Sequence, residues 1–315
     1  MAQHRASLDV AGAGFSQSVA ISGRAFDLDI AVGDWIWLSP AHDRVLGVLD
    51  RLGAFRRGAA GLESEVQTVA ANVDTLFVVT SANRDFKVAR LERYLSVASE
   101  ANAYPVVVIT KADTVDDVSA YVKDAARLKP GLMVEALDAR DGDAVAFLAQ
   151  SCGAGQTAAL VGSSGVGKST LINSLTPAGL ATGAARETDQ RGRHTTTYRS
   201  MHRLPGGGWL IDTPGMRELK LVEAGGGIDE VFSDVLALAA RCRFADCQHV
   251  EEPGCAVLAA IEQGLMEGGR LHRYRKLVRE NERHSETLSA RRTRDRAQGR
   301  LFKSIKSDLR RRKGR

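Results

Sequence analysis

The stretch Gly162-Ser163-Ser164-Gly165-Val166-Gly167-Lys168-Ser169-Thr170 decides the fold. It follows an apolar run, Ala158 to Val161, and precedes a helix-forming one, Ser169 to Leu175. A G-x-x-x-x-G-K-S pattern requires that strand–loop–helix setting. The glycines let the backbone curl so that N–H groups and a helix N-terminus face an anion. Lys168 is expected to reach the β- and γ-oxygens of a nucleotide, and the Ser169 hydroxyl to ligate Mg²⁺.

Working outward, Asp212-Thr213-Pro214-Gly215 follows the loop, and Asp212 ends a second apolar run, Trp209 to Ile211. At a strand tip Asp212 can hold Mg²⁺ through water, and the Gly215 N–H can sense a γ-phosphate. Upstream lies Thr110-Lys111-Ala112-Asp113, after the strand-like run Val106 to Ile109. Asp113 can accept from both N1–H and the 2-amino group of guanine, whereas adenine offers no such donor pair. Lys111 would lay its stem along the base plane. Thr110 stands where many GTPases carry Asn, and a hydroxyl makes fewer hydrogen bonds than an amide. A weaker base contact is expected from the turn Leu137-Asp138-Ala139-Arg140, with Asp138-Ala139 in the place of the usual Ser-Ala. A conventional GTPase carries its base-reading motif last; here it comes first, so the order predicts a circularly permuted G domain.

The residue after D-x-x-G is often a glutamine that orients water, but here it is Met216, whose thioether cannot do so. His194, within Arg191-Gly192-Arg193-His194-Thr195-Thr196-Thr197, is the candidate to place the water; a solvated or RNA-facing histidine is the alternative. The segment sits where a first switch belongs, and one of its threonines, with Thr196 as the candidate, is expected to close on Mg²⁺. Arg191 and Arg193 fit transition-state cations or contacts to a partner's phosphates, and the sequence does not decide between them.

Cys242, Cys247, His249 and Cys255 read C-x4-C-x-H-x5-C. Three thiolates and one imidazole close a tetrahedral Zn²⁺ shell with no open position, which makes the site structural. A disulfide pair or reduced, unliganded cysteines are the alternatives. Cys152, far from this cluster, reads as an ordinary thiol.

At 315 residues and 44% hydrophobic composition the chain can bury a full core in two or three domains. No apolar run approaches the roughly eighteen residues of a membrane span, and the N-terminus lacks the apolar stretch of a secretory signal. A soluble, cytoplasmic protein with no membrane partner is expected, and nothing demands more than a monomer. The net charge of +5 conceals an asymmetry: residues 270–315 hold 18 Lys and Arg against 5 Asp and Glu, which leaves −8 for the rest. A basic tail on an acidic body is the layout of a nucleic-acid-docking protein. Within the tail Leu271, Tyr274, Leu277 and Val278 recur at helical spacing, so one face is expected to pack while the arginines project from the other.

Residues 1–64 show short alternating segments, around Val19, Phe26–Ile30, Trp35–Leu38 and Arg44–Leu49, as in a small antiparallel barrel. The stretch 53–72 reads as a linker, and Arg56 and Arg57 in it could touch RNA or be solvated. From Val73 strands and helices alternate, predicting an α/β sheet with ligand loops at strand C-termini. The domains expected are 1–64, a small β-barrel; 65–225, the permuted α/β GTPase; and 226–315, a zinc-binding helical domain with a basic tail.

TKAD at 110–113, GSSGVGKST at 162–170, RGRHTTT at 191–197, DTPGM at 212–216 and the Cys/His spacing at 242–255 resemble, in this order, the ribosome small-subunit-dependent GTPase family known as RsgA or YjeQ. The resemblance runs from about residue 64 to about 280, and Ala71-Asn72-Val73-Asp74 belongs to it. It implies a multidomain chain: an N-terminal OB-fold barrel, a permuted P-loop GTPase centre and a C-terminal zinc domain with helices. It also implies GTP/GDP with Mg²⁺, one structural Zn²⁺, and contact with 16S rRNA of the 30S subunit. The implied role lies late in 30S maturation, with hydrolysis stimulated by that subunit and His194 as the catalytic residue. A GTP-stabilised rRNA-binding scaffold with incidental hydrolysis is the competing reading. A small-molecule P-loop kinase is disfavoured, because Asp113 and Asp212 together specify a guanine-switch layout.

Overall fold

A computed structural model of the chain describes residues 2–3, 7–12, 14–21, 28–58, 66–176, 199–212 and 224–285. The N-terminal part contributes β1 (Ala2–Gln3), β2 (Ser7–Gly12), β3 (Phe15–Ala20), β4 (Ile36–Leu38), β5 (Val45–Val48), β6 (Ala54–Gly58) and β7 (Val66–Ala71). There follow β8 (Thr75–Ser81), α1 (Val88–Glu100), β9 (Tyr104–Thr110), α2 (Ser119–Ala126), β10 (Met133–Ala136), α3 (Gly142–Gln150), β11 (Thr157–Val161) and α4 (Lys168–Leu175). Then come β12 (Arg199–Arg203), β13 (Trp209–Asp212), α5 (Gly225–Val231), α6 (Ser233–Ala239), α7 (Ala256–Glu262) and α8 (Gly268–Ser285). No helix among the described residues is long and apolar enough to cross a membrane.

The central sheet runs β10-β9-β8-β11-β13-β12-β1-β2-β3. Its first five strands are parallel. Strand β8 is buried along its whole length, as expected for a strand covered on both faces. Parallel strands send all their C-terminal loops to one edge, and ligands bind at that edge.

The N-terminal strands pair antiparallel, as their alternation predicts. Leu8, Val10, Val19 and Ile30 form a small shared core, with Ile36, Leu38, Val45 and Val48 packed against it. Two features differ from expectation. The stretch 53–72 is not a linker: β6 and β7 pair from Ala54↔Ala71 to Gly58↔Val66, with a bulge between Phe55 and Arg56. Phe55, Val69 and Ala70 are buried there, and this apolar burial outweighs the Gly/Ala composition that suggested a linker. The segment Phe26–Ile30 enters the described residues only at Leu28, where the chain is irregular. The N-terminal hairpin is also continuous with the central sheet, because β1 pairs with β2 on one side and with β12 on the other.

Asn72 joins these strands to the sheet. In left-handed conformation (φ 52°) it accepts from the Leu52 N–H at 2.9 Å and donates to the Gly33 carbonyl at 3.0 Å. Asp74, two residues on, accepts from the Thr157 N–H at 2.7 Å and so fixes the start of β11.

The C-terminal helices lie against α1. Gly227 of α5 approaches so closely that a Cβ there would stand 2.0 Å from the Ser96 carbonyl oxygen. Helix α8 buries Leu271 and Leu277, but its arginines do not all project outward as expected. Arg270 and Arg273 turn inward onto Glu92 of α1, whose side chain is fully buried, each at 2.8 Å. Arg270 also donates to the carbonyls of Leu128 (3.2 Å) and Val231 (2.7 Å), and lies over the Phe232 ring at 4.2 Å. Arg275 donates to the Gln248 carbonyl in the Cys/His loop, while Lys276 and Arg279 remain exposed. The basic end, 286–315, lies outside the described residues.

Candidate functional site

Five strand ends bring the sequence motifs to one edge. Along it stand the Asp138 turn after β10, TKAD after β9, the end of β8, the phosphate loop after β11, and Asp212 closing β13. Chain order and spatial order differ, because β8, β9 and β10 precede β11 in the chain.

The phosphate loop has the backbone its glycines allow. Gly162 (φ 149°), Gly165 (φ 80°) and Gly167 (φ 91°) take positive φ, and α4 starts at Lys168. A Cβ on Gly162 would lie 2.2 Å from the Val79 carbonyl oxygen of the neighbouring strand. Gly162→Ala is therefore expected to weaken GDP binding by more than about tenfold, measured by titration calorimetry, since both the φ and the approach forbid a side chain. Lys168 is buried, and its Nζ donates to the carbonyls of Gly162 (2.7 Å) and Ser163. Val166 is buried under the loop, whereas Ser164, Ser169 and Thr170 are exposed on it.

Thr110 is fully buried, and its hydroxyl sits between two carbonyls, Thr80 at 3.0 Å and Val166 at 2.6 Å. It links β8, β9 and the phosphate loop, a tether that an amide would have to make with different geometry. Lys111 (φ 57°) reaches across to the Gly165 carbonyl at 3.0 Å. The Ala112 N–H donates to the Leu137 carbonyl, at 3.3 Å, tying the TKAD turn to the next one.

In that next turn the Asp138 side chain is engaged locally. Its Oδ1 accepts from the Arg140 N–H at 3.0 Å, and both carboxylate oxygens accept from the Arg140 guanidinium. Arg140 holds the Asp138 carboxyl below its ordinary range, chiefly by side-chain hydrogen bonding. Arg140 also reaches Asp113, with Nη2 to Oδ2 at 2.8 Å. Ala139 is buried, and its carbonyl accepts from Ser174 Oγ of α4 at 2.8 Å, so the turn is braced on the phosphate-loop helix. No role for Arg140 was expected from the sequence; its place two residues after Asp138, in the same turn, was the available signal.

At the other end, Asp212 faces Ser200 of β12 in register. His194, Thr196, Gly215 and Met216, with Arg191 and Arg193, lie outside the described residues.

The second site is the Cys/His cluster. The ligand atoms of Cys242, Cys247, His249 and Cys255 all lie within 4.8 Å of one another. Cys242 Sγ is 3.8 Å from Cys255 Sγ and 3.6 Å from His249 Nδ1, and Cys255 Sγ is 3.4 Å from that nitrogen. Zn–S bonds of about 2.3 Å and Zn–N bonds of about 2.0 Å give tetrahedral edges of about 3.8 and 3.5 Å, which the three distances among Cys242, His249 and Cys255 match, and Cys247 supplies the fourth donor, so the residues fit Zn²⁺. Left-handed backbone at His249 (φ 56°) and Gly254 (φ 76°) shapes the loop. Glu252 fastens it by accepting from the N–H groups of Gln248, Val250 and Glu251, and these bonds pull its carboxyl down to about 2. Cys255 also caps α7, its sulfur accepting from the Leu258 N–H at 3.4 Å.

A family model described as RsgA GTPase matches residues 48–222. A protein of Vibrio parahaemolyticus named small ribosomal subunit biogenesis GTPase RsgA 2 is 48% identical over 285 residues, which cover 90% of this chain and 79% of that protein. A small ribosomal subunit biogenesis GTPase RsgA of Mesorhizobium japonicum is 50% identical over 277 residues, covering 86% and 79%. Among solved structures, YjeQ from Thermotoga maritima superposes with a TM-score of 0.63 at 25% identity, covering 86% of this chain and 92% of its own.

Proposed function

As the chain belongs to the RsgA GTPase family, we propose that it acts as a GTP-driven timer in late maturation of the 30S ribosomal subunit. The observation that carries this reading is the row of motifs on one sheet edge, with the base-reading turns at one end and Asp212 at the other.

In this reading the loop 162–170 wraps the phosphates, with its N–H groups and the start of α4 facing them. Lys168, already aimed along the loop, neutralises phosphate charge. Ser169 and Thr196 would hold Mg²⁺ directly and Asp212 through water. Bound there, the ion would supply neutralisation of the nucleotide's phosphate charge. Asp113 accepts the guanine donors, Lys111 covers the base, and the Asp138-Ala139 turn closes the pocket. With Asp138 committed to Arg140, the contribution of that turn falls to its backbone. His194 places the attacking water, because Met216 cannot, and Gly215 senses the γ-phosphate. Contact with the subunit's 16S rRNA aligns His194, and hydrolysis releases the protein. The Cys/His module and basic tail serve as the docking end, and Cys242, Cys247, His249 and Cys255 hold one structural Zn²⁺. The domain limits 1–64, 65–225 and 226–315 are part of this proposal.

The test is turnover of GTP and ATP by the purified chain with and without salt-washed 30S subunits, with 50S subunits and Lys168→Ala as controls. GTP-only turnover raised by 30S alone is expected. His194→Ala is expected to lower the stimulated rate about 100-fold with GTP binding retained. Tight 30S binding with flat turnover would instead favour a GTP-stabilised scaffold.

A further inference from the structure

We propose that Arg140 is the positioning residue of the guanine site: it locks the Asp113 carboxylate to the Asp138 turn, so that the two base-facing loops read the base as one rigid edge. This rests on the assignment of Asp113 as the guanine acceptor.

The geometry is a relay of one guanidinium between two carboxylates. Arg140 Nε lies 3.0 and 3.2 Å from the two Asp138 oxygens, and Nη2 lies 2.9 Å from Asp138 Oδ2 and 2.8 Å from Asp113 Oδ2. Asp138 is itself fixed by accepting from the Arg140 backbone N–H. The fork is therefore held at its base before it reaches Asp113, and a planar guanidinium presents its donors in a fixed orientation.

Asp113 Oδ2 is held, while Oδ1 has no hydrogen-bond donor among the described residues. A carboxylate offers about four lone-pair positions, so Oδ1 and the second lone pair of Oδ2 can still accept two base N–H groups with Arg140 in place. An unanchored aspartate would lose rotamer freedom on binding the base, and Arg140 has already removed part of that freedom.

The contact is exposed. The side chains of Arg140, Asp113 and Asp138 retain 69%, 36% and 28% of their accessibility, and ion pairs of that kind add little to folding stability. Substituting Arg140 should therefore be felt in ligand recognition, not in the fold.

The experiment is titration of GDP and inosine diphosphate into the full chain and its Arg140→Ala, Arg140→Lys and Asp113→Ala variants, with thermal melts alongside. Inosine diphosphate keeps N1–H but lacks the 2-amino group, so it needs only one acceptor. Arg140→Ala is expected to weaken GDP about fivefold and inosine diphosphate by less than about twofold, with an unchanged melting midpoint. Arg140→Lys should fall between, having lost the fork. Tighter GDP binding by Arg140→Ala would make Arg140 a competitor of the base and overturn the proposal. Equal loss for both ligands would reduce Arg140 to loop support and also overturn it. Asp113→Ala separates the levels. If it leaves GDP affinity intact, the reading of Asp113 fails and this proposal with it; if it abolishes GDP binding while Arg140→Ala is neutral, only Arg140 is excluded.

Discussion

Glu92→Ala lowers the stability of the folded chain by about 3–5 kcal/mol. Its carboxylate is fully buried on α1 and accepts from Arg270 and Arg273 of α8. Removing it takes the buried partner from two guanidiniums that are only 9% (Arg270) and 18% (Arg273) exposed, and leaves them the more exposed Asp234 at 3.0 Å and Glu267 at 3.4 Å. The net worth of the intact cluster is a separate matter. Burial outweighs the two guanidiniums and holds the Glu92 carboxyl above its usual range. A raised folded-state pKa favours the fold below the ordinary glutamate value, and that contribution is lost as the pH rises through the folded one. The cluster thus costs solvation, and its effect is to fix how α8 lies on α1. The thermal midpoint of Glu92→Ala should fall by roughly 10 °C. Arg93→Ala is the contrast: its pair with Glu280 keeps 30% and 20% side-chain exposure, so a loss of about 1 kcal/mol or less is expected. Equal midpoints for the two variants would refute the buried-network account.

Zinc removal is the second large effect. Chelation of the full chain is expected to release one Zn²⁺ and to melt the segment around 242–262 while the parallel sheet persists. Structural zinc contributes about 10–16 kcal/mol to folding in small peptide domains, so the loop has little to hold it once the ion is gone. Cys255 both belongs to the donor set and caps α7, which spreads the loss into that helix. Leu76, Val78, Val107 and Ile109 of the sheet share a core with Cys255 and Val257, but most of its buried residues lie outside 242–262, so the sheet should persist with a lowered melting midpoint. Metal analysis with circular dichroism reads both. A chelated chain that melts in one step at the original temperature would exclude a structural ion.

How much of this was legible depends on how far apart the cooperating residues lie. The phosphate loop was readable because its chemistry is local: three positive-φ glycines and a helix start occupy consecutive positions. The Cys/His cluster was readable for the same reason, four donors within fourteen residues. Strands β8, β9 and β11 announced themselves as apolar runs bounded by turns. The stretch 53–72 misled, because its Gly/Ala run suggested a linker while the burial of Phe55 and Val69 depends on partners elsewhere.

By itself, then, the sequence determined which chemistries are present and that the G-domain motifs run in rotated order, since each motif needs only a few adjacent residues with the right backbone. Only the tertiary structure decided which charges meet. Glu92 and Arg270 are 178 positions apart, and nothing local picks Arg270 and Arg273 from among 43 lysines and arginines. It also decided that Arg140 bridges to Asp113, that Thr110 ties the phosphate loop to β8, and that β1 extends the nucleotide sheet through β12. Those contacts depend on closing long loops and on the order of strands in a sheet, which the packing of the whole core selects.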